Sequence, residues 1–506
     1  MAATREVLIV GGGPTGVVLG MLLGDFGIDV LVVDKRPRIS PLPRARGIHA
    51  RAAEILRQLG IEDDMVAAAL PVRPALEVRG PLTEPPVAVV PTGGEGFVEV
   101  SPSEGIAIAQ DRFESVLRQH LTRRSTVELR PGVGATELSL EEGGSGAVVT
   151  LTETASGRTS TVRAEYVVGA DGWRSDIRRG LGVPFLGEEH LARLRGVFFR
   201  ADLRPWLGDP PPAFIQLTHV PGILLSTHPD HRWATMRLTG PDGAGPKVPE
   251  ALIREHLGVD VPVEVLGDTT FSVGVQWAET LQRGRVLLAG DAAHRVTPQG
   301  AGGISAAMAD AHNLAWKLAA FLRGWGSPRL LASYAVERGP VTRQICAANK
   351  EMWLAMQQST DGPPRIDLRV LDMGYRYASP VVTGGSARPL DVTATYEQTA
   401  APGARAPHVW LDDAHTRSTI DAFGTSMVLL AAPNTSWLSA LPQAAAGTGI
   451  PVDALAAERD DVRAAYRLHD GDAVLVRPDG HIAWRSHARP SLSGVLRQAL
   501  LTATGR

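Results

Sequence analysis

The stretch Glu6-Val7-Leu8-Ile9-Val10-Gly11-Gly12-Gly13-Pro14-Thr15-Gly16, continued by Val30-Leu31-Val32-Val33-Asp34-Lys35, carries the reading of the fold. The apolar run Val7 to Val10 is that of a buried strand, and the glycines after it close the strand in a turn. Pro14 suits the first turn of a helix, where its missing N–H costs nothing, and Gly27 suits the exit of that helix. A second strand from Val30 to Val33 completes a βαβ unit. The glycines match G-x-G-x-x-G in the one context that gives the pattern meaning. Gly11 permits the tight turn, Gly13 lets a pyrophosphate approach the backbone, and Gly16 allows helix and strand to pack closely. The helix start at Pro14 and Thr15 attracts the anion, and Asp34, with Lys35 beside it, stands where a ribose hydroxyl would be held. A glycine turn alone also fits an ordinary corner. Strand, helix and acid in register point to a dinucleotide, without saying which.

Outward from this unit, helical spacing returns from Ala50 to Leu59 and stops at Gly60. Residues 127 to 168 alternate apolar and polar positions between glycine breaks, which reads as an inserted β-meander. Residues 195 to 275 are again strand-like, with Phe198, Phe214, Trp233 and Phe271 in short runs, and suggest a separate sheet that could wall a cavity. A long helix is expected from Ile304 to Leu322, with more helical spacing to about Met356. Residues 360 to 407 are rich in Pro, Gly, Ser and Thr and read as a connector to a terminal domain.

Two further segments carry chemistry. Leu287-Leu288-Ala289-Gly290-Asp291-Ala292-Ala293-His294 is a buried strand ending in an acid, and Pro298-Gln299-Gly300-Ala301-Gly302-Gly303-Ile304 follows it. The carboxylate of Asp291 can bind a hydroxyl chain, and the glycines bring backbone N–H groups and a helix start against a flat ligand. Gly169-Ala170-Asp171-Gly172-Trp173-Arg174 is the other.

The three motifs together resemble the group A flavoprotein aromatic hydroxylases related to para-hydroxybenzoate hydroxylase. The resemblance implies FAD as cofactor. Thr15 and Asp34 then match pyrophosphate and ribose positions, Arg46 an arginine near the flavin phosphates, and Gln110 a glutamine near the ribityl chain. Asp171 matches the Asp-Gly motif, Asp291 the ribityl-binding acid, and Pro298 with Gly300 to Ile304 the loop beside the isoalloxazine. Ala301 and Ser305 depart from the Gly and Asn often found there. Gly374-Tyr375-Arg376-Tyr377, Ala406-Pro407-His408 and Arg477-Pro478-Asp479-Gly480 narrow the resemblance to aromatic polyketide hydroxylases with a thioredoxin-like C-terminal domain. The expected fold is α/β: a Rossmann-like, glutathione reductase-like FAD domain (1–182 and 277–360, the latter with the long helices), a mixed-sheet substrate domain (183–276), a connector (361–407) and a thioredoxin-like domain (408–506). The implied reaction uses NADPH or NADH and O2 to hydroxylate an aromatic polyketide-type molecule through a flavin C4a-hydroperoxide. Epoxidation or Baeyer-Villiger oxidation on the same scaffold, and a non-catalytic flavin-fold binding module, are the alternatives.

Composition narrows the partners. Lys plus Arg number 51 against 54 Asp plus Glu, a net charge of -3, which leaves no basic footprint for nucleic acid. No apolar run approaches the ~20 residues of a membrane span. The single cysteine, Cys346, excludes an intrachain disulfide, a cysteine zinc cluster and a C-x-x-C redox pair, so the terminal domain is structural and a cytoplasmic setting fits. No metal is expected, and the chain is read as a monomer or homodimer. No side chain stands out as a catalytic base, although His219, His228 and His294 qualify by type. Phe198, Arg200, Gln216, Arg237 and Trp277 are candidates for the substrate cavity.

Overall fold

The computed structural model describes residues 3–41, 45–92, 98–239, 248–298, 302–358, 367–433, 435–486 and 492–506. Among these residues the strands form three larger sheets and one short ladder.

The first sheet grows from the opening βαβ unit. Strand Ala3–Val10 pairs in parallel with Val30–Asp34 on one side and Thr159–Gly169 on the other. Val127–Pro131 and Val286–Leu288 extend the parallel array outward. Val7, Leu8, Ile9 and Val30 to Val33 are buried, the expected result for parallel strands covered on both faces. Helix Pro14–Asp25 lies against this sheet and against helix Gly302–Leu322, whose residues Met308, Ala311, Leu314 and Leu318 join the same core.

Residues 127–168 are not an insertion as a whole. Only the hairpin Val133–Leu140 and Ala147–Glu153 is appended, while the flanking strands are members of the parallel sheet. The run Tyr166-Val167-Val168 is continuous rather than alternating, because it is buried on both faces beside Val7 to Val10.

The second sheet has the order Arg73–Arg79 beside Pro212–Leu217, then Gly222–His228, Arg232–Leu238, Phe185–Arg200 and Glu264–Ala278, with short edges at Ala88–Pro91 and His294–Arg295. Two of its strands therefore come from within residues 1–182. Helix Pro249–Leu257 covers one face through Leu252, Ile253 and Leu257, against Val197, Phe199, Ile215, Leu224 and Trp233. The opposite face carries Phe198, Leu225 and Ala234, ringed by Phe214, Ile223, Met236 and Leu266.

Residues 427–503 run Met427–Ala431, helix Ser436–Ala445, Val452–Ala456, helix Asp460–Ala465, Ala473–Val476, Ile482–Arg485 and helix Leu492–Ala503. The first two strands are parallel and the last two antiparallel, in the sheet order fourth, third, first, second. That is the thioredoxin topology. Its core packs on Trp316, Ala320, Trp325 and Leu330, so the domain is fused to the helices behind the first sheet. The expected connector holds helix Leu368–Met373 and the buried Tyr375 and Tyr377.

Candidate active site

The three motifs meet at the C-terminal ends of neighbouring parallel strands. Gly11 has φ +117, and a Cβ there would lie 2.2 Å from Ala170 O, so the first and second motifs touch backbone to backbone. A Cβ on Gly290 would lie 2.4 Å from Thr15 Oγ1, which brings in the third. A Cβ on Gly16 would reach Gly11 O at 1.9 Å, the close helix packing expected of that position. Gly13 differs from its neighbours. No atom lies within 4 Å of where its Cβ would be, so its side of the turn is open to a ligand.

Asp34 is buried, and both of its oxygens are engaged. Oδ1 accepts from the Arg36 amide at 3.0 Å, and Oδ2 accepts from Arg118 Nη2 at 2.8 Å. The same Arg118 nitrogen donates to Gly12 O at 2.9 Å. Lys35 is exposed, with Nζ 3.6 Å from Asp176. The second motif is held by Asp171, whose Oδ2 accepts from the amides of Asp176 and Ile177 at 2.7 and 3.2 Å. Its other oxygen is buried without a hydrogen-bond partner, and burial raises its pKa.

Asp291 sits exposed on the turn Gly290–Ala292, and that turn is anchored from below by Asp310. Asp310 is fully buried on helix Gly302–Leu322. It accepts from Gly290 N at 3.0 Å and from Arg338 Nε at 2.7 Å, and it shares a 2.8 Å hydrogen bond with His294 Nε2. Against the upward push of burial, Arg338 and His294 hold the Asp310 carboxyl below its ordinary value. His294 is thus a buried strut for the loop. His228 pairs with Asp230 at 2.6 Å, and His219 is exposed beside Glu255 O.

Arg46 reaches onto the second sheet. Its Nε donates to Ser226 O at 2.6 Å, its guanidinium carbon stands 4.6 Å over the ring of Phe214, and its Nη2 is buried without a partner. Burial pushes its pKa down to about 10. The strap that carries it is pinned by Gln110, whose Oε1 accepts from Ala45 N at 3.2 Å and whose backbone N–H donates to Ala45 O. At the far end of the strap, His49 N donates to Ser305 Oγ at 3.3 Å. Pro298 is exposed, and Gly300 and Ala301 lie outside the described residues. Gly302, Gly303 and Ile304 form the first turn of their helix, two residues earlier than the sequence pattern suggests, because glycines carry no hydrophobic signal.

The substrate candidates separate by face. Phe198 lies on the uncapped face with Phe214, and Gln216, two residues on from Phe214, is exposed. Arg237 lies on the other face, its Nη1 2.6 Å from Glu255 of the covering helix, because strand neighbours alternate and Met236 takes the open side. Arg200 pairs with Glu264 and with Asp230, and Trp277 stands half-buried at the paired edge opposite His294. Among the described residues there is no cluster of side chains able to hold a metal ion, and no helix is long and apolar enough to cross a membrane.

Arg118 and Asp310 escape the sequence reading. For Asp310 the signal is a lone carboxylate within the apolar stretch Ala306-Ala307-Met308-Ala309, which requires a buried partner.

The chain belongs to the FAD-dependent aromatic-ring hydroxylases: residues 4–349 match the FAD binding domain family and residues 399–506 the aromatic-ring hydroxylase C-terminal family. It is 33% identical to tetracenomycin B2 monooxygenase-dioxygenase of Streptomyces olivaceus, over 98% of both chains. It is 31% identical to aklavinone 12-hydroxylase of Streptomyces purpurascens, again over 98% of both. A crystal structure of aklavinone-11 hydroxylase with FAD and aklavinone superposes with a TM-score of 0.90 at 29% identity, covering 99% of each chain. The protein is a monooxygenase that binds FAD. The residues present fit that cofactor: an open side at Gly13, an unpartnered Arg46 Nη2 and Asp171 Oδ1, and a glycine-led helix start at Gly302.

Proposed function

We propose that this enzyme uses NADPH or NADH and O2 to place one oxygen atom on the ring of an aromatic, polyketide-type small molecule. The observation that carries the reading is the strap Arg46–His49: Arg46 bonds Ser226 O and lies over Phe214 on the aromatic face of the second sheet, while His49 N bonds Ser305 in the glycine-led helix. FAD, when bound, supplies the hydride-accepting and oxygen-activating chemistry.

The rest is done by the chain. Gly11 to Gly16 and the helix start at Pro14 receive the pyrophosphate, Asp291 the hydroxyl chain, and Gly302 to Ile304 offer N–H groups to the ring edge. Phe198, Phe214, Leu225 and Met236 offer a flat apolar wall that orients an aromatic ligand and excludes water. Only one strand-turn-helix fingerprint is present, and FAD takes it, so the nicotinamide docks transiently. The relatives named for tetracenomycin and aklavinone support a polycyclic substrate.

The test is incubation of the FAD-loaded enzyme with NADPH, 18O2 and a panel of polycyclic phenols. The expected result is substrate-stimulated NADPH consumption and a product carrying one labelled oxygen. Bound FAD with neither outcome across the panel would overturn the proposed substrate class.

A further inference from the structure

Helix Ala50–Gln58 follows directly on the strap that holds Arg46 and His49. Its apolar residues Ala52, Ala53, Ile55 and Leu56 enter the core of the first sheet. Its polar residues Arg51, Glu54, Arg57 and Gln58 recur at helical spacing, the pattern of a solvated face. The first half of this face is not solvated, and Arg57 and Gln58 at its other end are half-buried. Glu54 is 1% exposed and Arg51 3%.

What covers it comes largely from the C-terminal half of the chain. Asp372 Oδ2 accepts from Arg51 N at 2.8 Å, capping the helix from outside. Arg405 grips Glu54 with two nitrogens, and its Nη2 also donates to Val100 O at 3.0 Å. Arg51 Nη2 donates to Asp479 O at 2.7 Å. Arg57 pairs with Asp421 at 2.6 Å and donates to Thr416 O at 3.1 Å. Four separate points of the connector and terminal domain thus hold one helix face.

Charge-assisted bonds of this kind are directional. They fix the rotation and register of a helix, where an apolar contact of equal area would let it slip, and they add little net stability over such a contact. The next residue toward the N-terminus, His49, bonds Ser305 at the start of the flavin-loop helix, and Arg46 lies three residues further on.

We propose that the C-terminal half of the chain sets the position of the cofactor strap Arg46–His49 through the buried polar face of helix Ala50–Gln58, with Arg405 and Asp372 as positioning residues for FAD. This rests on FAD binding and not on the identity of the substrate. It assigns a role at the cofactor site to the connector and, through Asp421 and Asp479, to the terminal domain, although no described residue of that domain bonds to the three motifs.

The test measures FAD affinity of the apo-protein by flavin fluorescence quenching, together with the visible circular dichroism of the bound flavin and the thermal midpoint. Arg405→Met removes the grip, Arg405→Lys restores one charge, and Leu475→Ala destabilises the terminal domain from its own core as a control. The expected result is an FAD Kd raised at least tenfold by Arg405→Met with an altered flavin dichroism, partly recovered in Arg405→Lys. Leu475→Ala should stay within twofold at a similar loss of midpoint. If Arg405→Met fails to fold, Asp421→Asn at the exposed end of the same face should still raise Kd two- to fivefold. Equal losses of affinity in Arg405→Met and Leu475→Ala, or an unchanged Kd in Asp421→Asn, would overturn the proposal.

Discussion

Arg118 ties Asp34 to the glycine turn: one guanidinium nitrogen donates to Asp34 Oδ2 at 2.8 Å and to Gly12 O at 2.9 Å. The acid at the end of the second strand is therefore oriented by a residue from helix Gln110–Leu121, and the carbonyl of the turn is restrained by the same atom. A Cβ on Gly12 would lie 2.8 Å from Asp34 Cβ, so the turn and the acid are in contact even without the arginine.

Arg118→Met should keep the fold and loosen the Asp34 end of the proposed cofactor site. Hydrogen bonds to charged groups are worth about 1.5–3 kcal/mol, so the FAD Kd should rise roughly 10- to 100-fold. Fluorescence titration of the apo-protein measures it. A folded variant with unchanged affinity would show that Asp34 is held adequately by the Arg36 amide alone.

Stability should fall as pH drops below neutrality. Burial keeps His256 and His312 down to about 3 and His408 to about 4. The bonds of His312 agree, since Nδ1 faces Arg51 and Nε2 lies 2.8 Å from Gln58 Oε1, an arrangement that suits the neutral ring. Below pH ~6.5 the unfolded chain binds protons at these rings and the folded chain does not, which costs about 1.4 kcal/mol per ring per pH unit once the unfolded ring is charged. Glu54 and Glu337, held at about 2 by arginines against the push of burial, add to the slope once pH passes below 4.5. Urea midpoints at pH 7, 6, 5 and 4 should decline throughout and most steeply at the end. A flat profile from pH 6.5 to 5 would mean that these rings protonate inside the fold.

Cys346 should be chemically silent in the folded enzyme. Its thiol is buried on helix Pro328–Gln358, 3.6 Å from Gln276 O, and burial pushes its pKa up to about 12. Thiolate, not thiol, reacts, so iodoacetamide at pH 8 should leave the native protein unlabelled and add one group after unfolding. Cys346→Ser should retain turnover within about twofold, since no electron passes through this residue and the buried serine hydroxyl can donate to Gln276 O, the oxygen the thiol faces. Fast labelling of the native protein, or loss of turnover in a folded Cys346→Ser enzyme, would count against both statements.

Much of the cofactor site is legible in the chain because its signals are local. A run of valines, a glycine that must take positive φ, a proline at a helix start and an acid at a strand end are all read from short stretches of chain, and the backbone they specify is the proposed binding surface itself. The substrate side is less legible. Arg237 and Met236 are neighbours in sequence, yet one pairs with Glu255 on the covered face and the other lines the open one. Which face a strand turns to the cavity depends on where helix Pro249–Leu257 packs.

The sequence by itself determined the parallel βαβ start, the three cofactor motifs in order, the long helices and the absence of a thiol pair from the terminal domain. Only the tertiary structure decided what holds those motifs in place. Gly11 meets Ala170, Thr15 meets Gly290, His49 meets Ser305, and Arg405 meets Glu54 across 351 positions of chain. Such contacts join residues whose local preferences say nothing of each other. They exist because buried polar groups must find partners wherever packing happens to bring them together.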